Sequence, residues 1–205
     1  DEGRGLYAED KARTVFSEHS QCLALLADAV PAARRARVAR GLLDDPALAR
    51  TTIYYSHYLF ETLRLLGRVD RMIERMGLWF SLEELGAKTT IEMPEPSRSD
   101  CHAWGAHPLY HYAATILGVR PAGFGFAAVE IAPLLGPLSW ARGAVPHPRG
   151  DIRVELVRNG AKLDAIVSLP EGLAGVLVSG GARQPLRAGE NRLSVPASDA
   201  IALTG

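Results

Sequence analysis

The strongest constraint on this chain is a change of texture at Pro121. Ahead of it, apolar residues recur at three- and four-residue steps, the period of a helix with one buried face. Behind it, glycine and proline become frequent and short runs alternate apolar with polar, the period of a half-buried strand. From Glu9 to Val30, the positions Ala12, Val15, Phe16, Leu23, Leu26 and Ala27 predict a helix closed by Pro31. Pro31 then opens a second, Ala32 to Leu43, whose Arg34, Arg35, Arg37 and Arg40 mark a solvated face. Asp44-Asp45-Pro46 supplies a turn and a cap, and a third helix is expected to about Leu66, ended by Gly67. A fourth runs from Val69 through Leu85 with a break near Gly77. Between Lys88 and Cys101, β-branched Thr89, Thr90 and Ile91 predict a short extended segment, and Pro94 and Pro96 an ordered loop. A last helix is expected from Ala103 to Leu117.

After Pro121 the alternating runs are Ala128–Ile131, Ile152–Val157, Leu163–Leu169, Val176–Val178, Arg192–Val195 and Ala200–Leu203. Arg158-Asn159-Gly160 between two of them is a hairpin signal. Regularly spaced short strands predict a small antiparallel β-sandwich, with Trp140 as core or domain-interface packing. The fold class is therefore α plus β, with a helical domain over 1–122 and a sandwich domain over 123–205. Consecutive antiparallel helices of this kind fit part of a larger helical toroid.

Composition removes several functions. Lys plus Arg is 23 and Asp plus Glu is 23, which leaves no basic footprint for nucleic acid and no polybasic membrane address. No apolar run is long enough to span a bilayer. Cys22 and Cys101 make no disulfide framework and no metal-type pair, and so low a count fits a reducing cytoplasm. The 205 residues start at Asp1 without Met, which reads as a processed or cropped piece of something longer.

Chemistry concentrates between Glu92 and Trp104, where Glu92, Glu95, Asp100, Arg98, His102 and Trp104 share a loop fixed by prolines. Carboxylate, imidazole and indole together suit a sugar: the indole packs on the apolar ring face while the polar groups bond its hydroxyls. The plainer alternative is a solvated loop in which Asp100 caps a helix. Tyr54, Tyr55, His57, Tyr58 and Phe60 form an aromatic turn that serves either a site or the core. Ser17-Glu18-His19 cannot make a triad, because adjacent helical residues diverge, but Ser17 and Gln21 share a face that suits a cavity. His107 and His111, with His102 near, have a spacing suited to zinc, yet no HExxH accompanies them and a structural role is the stronger reading, so no metal and no cofactor are expected. Gly123-Phe124-Gly125 and Gly180-Gly181 open no helix and are not phosphate loops.

Three motifs resemble the bacterial α-L-rhamnosidases. They are Thr89-Thr90-Ile91-Glu92, the segment from Ser99-Asp100-Cys101-His102-Ala103-Trp104 to Tyr110, and Leu117-Gly118-Val119-Arg120-Pro121 with the following Val129-Glu130-Ile131-Ala132-Pro133. Gly150-Asp151-Ile152-Arg153-Val154 and the upstream Phe16–Gln21 segment extend the likeness over nearly the whole chain. The resemblance implies part of an (α/α)6-barrel catalytic domain followed by a β-sandwich, in an inverting glycosidase that needs no cofactor. It implies Glu92 as general base and His102 as a sugar contact, with Trp104 lining the pocket; Tyr54, Ser17 and Gln21 join them as substrate-binding candidates from the residue pattern alone. The substrate it implies is a rhamnose-containing glycoside, and the partner is the remaining N-terminal part of the enzyme. Two departures stand out. Ile91 occupies a place usually held by Trp, and the Asp- and Glu-rich loop that carries the family's general acid has no counterpart here, so the chain alone is expected to be inactive. The rival reading is a non-catalytic module that binds a carbohydrate or a partner chain.

Overall fold

Where apolar periodicity persists, the first half of the chain is helical, and only the first of its main helices carries a side-chain cap. The structure is a computed structural model describing residues 1–198, and the chain divides into two units, Asp1–Pro108 and a second starting at Leu109. The first unit holds α1 (Glu18–Leu26), α2 (Ala32–Asp44), α3 (Ser56–Leu65) and α4 (Val69–Glu84). A further helical passage runs through a 3-10 turn (Ala103–Ala106), α5 (His107–His111) and a π turn (Tyr112–Ile116).

Several boundaries differ from expectation, each for a local reason. The helix predicted from Glu9 begins only at Glu18, because Asp10 accepts from the Thr14 and Val15 backbone N–H groups at 2.9 and 3.2 Å and from the Thr14 hydroxyl at 2.7 Å. That turn competes with helix, and Ser17 caps α1 instead by accepting from Ser20 N at 3.2 Å. The helix predicted to follow Pro46 starts only at Ser56. The intervening strand-like segment pairs with the start of α1: Ala49 N donates to Phe16 O at 3.0 Å and Glu18 N to Ala49 O at 2.9 Å. Gly77 does not break α4; it sits exposed in a continuous helix with nothing within 4 Å of the space a Cβ would take. Gly77→Ala is accordingly expected to stabilise the protein by about 1 kcal/mol, read from its thermal midpoint.

The core of the first unit gathers Leu25, Val38, Leu42, Leu59, Phe60, Leu63, Met72 and Met76, all buried. A separate cluster of Ile53, Leu82 and Ile91, packed by Leu78, Trp79 and Ala87, lies beneath the loop that carries Glu92.

The second unit contains two four-stranded sheets. One has the order β1 (Val119–Pro121), β2 (Ala128–Ile131), β6 (Ala174–Ser179), β7 (Ala182–Leu186). The other has β3 (Trp140–Val145), β4 (Ile152–Asn159), β5 (Lys162–Leu169), β8 (Gly189–Pro196). Pairing is antiparallel throughout except between β2 and β6, which run parallel, so the purely antiparallel arrangement expected from the strand spacing is corrected there. Alternation buries Ile152, Val154 and Leu156 and exposes Arg153, Glu155 and Val157, as a sheet covered on one face requires. The hairpin signal is realised: Asn159 pairs with Lys162 across a two-residue turn in which Gly160 takes a φ of 60°. Trp140 is 58% exposed, so it is not a core residue of this unit. The run Ala200–Leu203 lies outside the described residues.

Candidate functional site

The loop from Thr90 to His102 is clamped at its base and then again higher up. His102 N donates to Thr90 O at 2.8 Å, Thr90 Oγ1 donates to His102 O at 2.7 Å, and Thr89 Oγ1 donates to Asp100 O. Above that, Glu92 N donates to Ser99 O at 2.9 Å. The β-branched threonines thus supply hydroxyls that tie two legs of the loop together, which fixes the backbone on which Glu92 stands.

The three loop carboxylates have different fates. Asp100 is exposed, and Glu95 is exposed with its Oε2 accepting from Ser97 N at 2.8 Å. Glu92 is buried, and the guanidinium of Arg98 donates to its Oε1. Aromatic rings gather beside it. Trp104 Nε1 donates to Glu92 O at 3.0 Å, the His102 ring lies 4.0 Å from that of Trp104, and the Tyr54 ring lies 5.0 Å from it. Trp104 and Tyr54 are 39% and 48% exposed, so a solute can reach both rings, whereas Glu92 is only 8% exposed. Four expected site residues, Glu92, His102, Trp104 and Tyr54, are therefore brought together.

Ser17 and Gln21 are not joined to that group. Gln21 is fully buried, its amide donating to Tyr7 O at 2.8 Å and Ser17 O at 3.0 Å while accepting from Tyr7 N at 2.9 Å. Ser17 donates to Glu9 and caps α1. Both side chains are taken up in holding the N-terminal segment. Of the remaining aromatic turn, Tyr55 donates to His19 O at 3.4 Å, and burial pushes its hydroxyl up to about 12, so it stays a donor.

The sequence reading missed the support beneath the site. Trp79 Nε1, on α4, donates to Gly105 O at 2.6 Å, and His107 Nε2 meets Ile53 O at 2.9 Å. His107 packs on His57, Phe60 and Trp79, whereas His102 stacks on Trp104. A Cβ on Gly105 would lie 2.8 Å from Thr90 Cβ and 2.9 Å from Ile91 O. Gly105→Ala is expected to cost about 1–3 kcal/mol by overpacking the loop base, measured as a lowered denaturation midpoint. Burial pushes His107 down to about 4 from 6.5, with His57 adding to the effect and the Ile53 carbonyl opposing it. The unfolded chain then binds a proton that the folded one refuses, so this contribution is complete above 6.5 and is lost as pH falls toward 4. The stability difference between the parent protein and His107→Gln should therefore shrink between about pH 7 and pH 5.

Comparison with known proteins bears on the chain as a whole. Residues 118–193 match the bacterial alpha-L-rhamnosidase C-terminal domain. An alpha-L-rhamnosidase from Alteromonas sp. (strain LOR) is 30% identical over 146 residues, covering 63% of this chain and 16% of that protein. The GH78-family rhamnosidase of Bacillus sp. GL1 matches with a TM-score of 0.77 and 29% identity, over 87% of this chain and 21% of its own. The α-L-rhamnosidase from Aspergillus terreus, at 20% identity and a TM-score of 0.74, shares the fold over 87% of this chain and 24% of its own. The chain thus spans under a quarter of the length of each of these relatives. On that domain and these relatives, the chain is similar to the C-terminal part of bacterial α-L-rhamnosidases.

Proposed function

We propose that this chain supplies the general-base half of an inverting α-L-rhamnosidase. Its first part, about 1–122, belongs to an (α/α)6-barrel catalytic domain, and 123–205 form the β-sandwich that follows it. The observation that carries this reading is the buried Glu92, whose backbone carbonyl accepts from the indole of a partly exposed Trp104 that packs with His102 and Tyr54, on a loop clamped at both levels.

In this mechanism the Glu92 carboxylate takes a proton from a water molecule as that water attacks the anomeric carbon. The glycosidic bond breaks, and the leaving oxygen takes a proton from a carboxylic acid on the opposite side. Inverting enzymes hold the two groups roughly 6.5–9.5 Å apart to make room for the water. The acid is assigned to sequence beyond these 205 residues, because no acid-bearing loop motif occurs in them. His102 bonds sugar hydroxyls, and Trp104 with Tyr54 packs on the ring or the methyl of a deoxy sugar.

The alternative, a carbohydrate- or partner-binding module without catalysis, has no specific observation in its favour. A panel of nitrophenyl glycosides tests the reading with the full-length enzyme. Turnover of the α-L-rhamnoside above all others is expected, and turnover of a different sugar alone would overturn the substrate.

A further inference from the structure

Of the charged groups on the Glu92 loop, only one is aimed at the buried carboxylate. Arg98 has a side chain that is 75% exposed, yet its Nη2 reaches back over six residues to Oε1 of Glu92, which is only 8% exposed. The reach is set by the backbone: Glu92 N donates to Ser99 O at 2.9 Å, and Ser97 Oγ donates to the same carbonyl at 3.0 Å. These bonds set Ser99 opposite Glu92 across the loop, with Arg98 the residue before it. Among the described residues, no other side chain bonds this carboxylate.

We propose that Arg98 is the positioning residue for Glu92, holding Oε1 so that the other carboxylate oxygen is turned to the attacking water. The inference rests on the reading of Glu92 as general base. A carboxylate that pivots about its last bond offers its lone pair to the water only part of the time. A guanidinium on one oxygen removes that freedom through a directed, charge-assisted hydrogen bond. Arg98 touches neither water nor sugar in this scheme, so it acts on rate and not on substrate affinity.

A double-mutant cycle in the full-length enzyme, assayed with nitrophenyl α-L-rhamnoside, separates this role from a structural one. Arg98→Met is expected to lower kcat roughly 10- to 100-fold, the worth of one charge-assisted hydrogen bond in the transition state, with KM nearly unchanged. Arg98→Lys, which keeps the charge but not the planar donor, should recover part of that loss. In the Glu92→Gln background, Arg98→Met should cost nothing more, since the group it positions is gone. An equal loss in both backgrounds would overturn the role of Arg98 while leaving Glu92 as base. Near-parent kcat for Glu92→Gln alone would instead overturn the base assignment itself.

Discussion

Truncating Glu18 to Ala is expected to destabilise the protein by about 3–5 kcal/mol, because it strands a cation that the fold was built around. The Glu18 side chain is 7% exposed and its Arg75 partner 19%. Its carboxylate accepts from Arg75 at 2.6 and 3.2 Å, from Thr51 N at 2.7 Å and from Thr51 Oγ1 at 2.9 Å. The same guanidinium donates to Thr51 O at 3.0 Å. One anion thus ties the first turn of α1, the segment before α3 and the middle of α4. Removing it leaves Arg75 without its carboxylate and the Thr51 N–H without its acceptor, and the desolvation of both is not recovered. A fall of roughly 6–20 °C in the thermal midpoint is expected for a chain of 205 residues. Replacing Glu18 and Arg75 together by Met should cost clearly less than the two single changes summed. A single-variant loss below about 1 kcal/mol would show that the pair is not central to the fold.

The other large effect is on rate. Glu92→Gln in the full-length enzyme is expected to lower kcat by about 10²- to 10⁴-fold, the usual contribution of a positioned general base. The amide keeps the shape of the side chain and retains an oxygen to accept from Arg98, so the loop and the denaturation midpoint should change little. What it loses is the ability to take a proton. A loss of rate together with a lost fold would be uninformative for Ala, and the isosteric Gln avoids that. Glu95→Gln serves as the control, because Glu95 is exposed and occupied with Ser97 N; its rate should stay near that of the parent.

Elements with a clean period were legible in the sequence. The apolar spacing in Val69–Glu84 and the alternation in Ile152–Asn159 and Lys162–Leu169 specify one face each, and burial follows that face. The failures have a common origin in side chain to backbone bonds that no periodicity reports. Asp10 folds its neighbours into a turn where apolar spacing alone predicted helix, and Thr51 is drawn to Glu18 where a cap at Asp45 predicted a longer α3. Short strands at sheet edges also escaped. β1 ends in Pro121 and β7 contains Pro185, and proline hides a strand in the only places a sheet tolerates it.

The site was half legible for the same reason. Its residue content pointed to Glu92, His102 and Trp104, because a carboxylate, an imidazole and an indole between prolines are conspicuous. Tyr54 belongs with them through a ring contact across fifty residues of sequence. Ser17 and Gln21 were candidates from their helical spacing, but the helix starts at Glu18 and both side chains turn to the N-terminal segment. Glu18 itself, set aside once a triad was excluded, proved to be the most heavily bonded carboxylate of its unit.

The base assignment is tested most directly by restoring what the base provides. Glu92→Ala leaves space where the carboxylate stood, and azide needs no proton removed before it attacks. With a nitrophenyl α-L-rhamnoside, adding azide to this variant of the full-length enzyme should raise the rate and yield the β-configured rhamnosyl azide, identified by NMR. Hydrolysis by Glu92→Ala at the parent rate without azide would contradict the account.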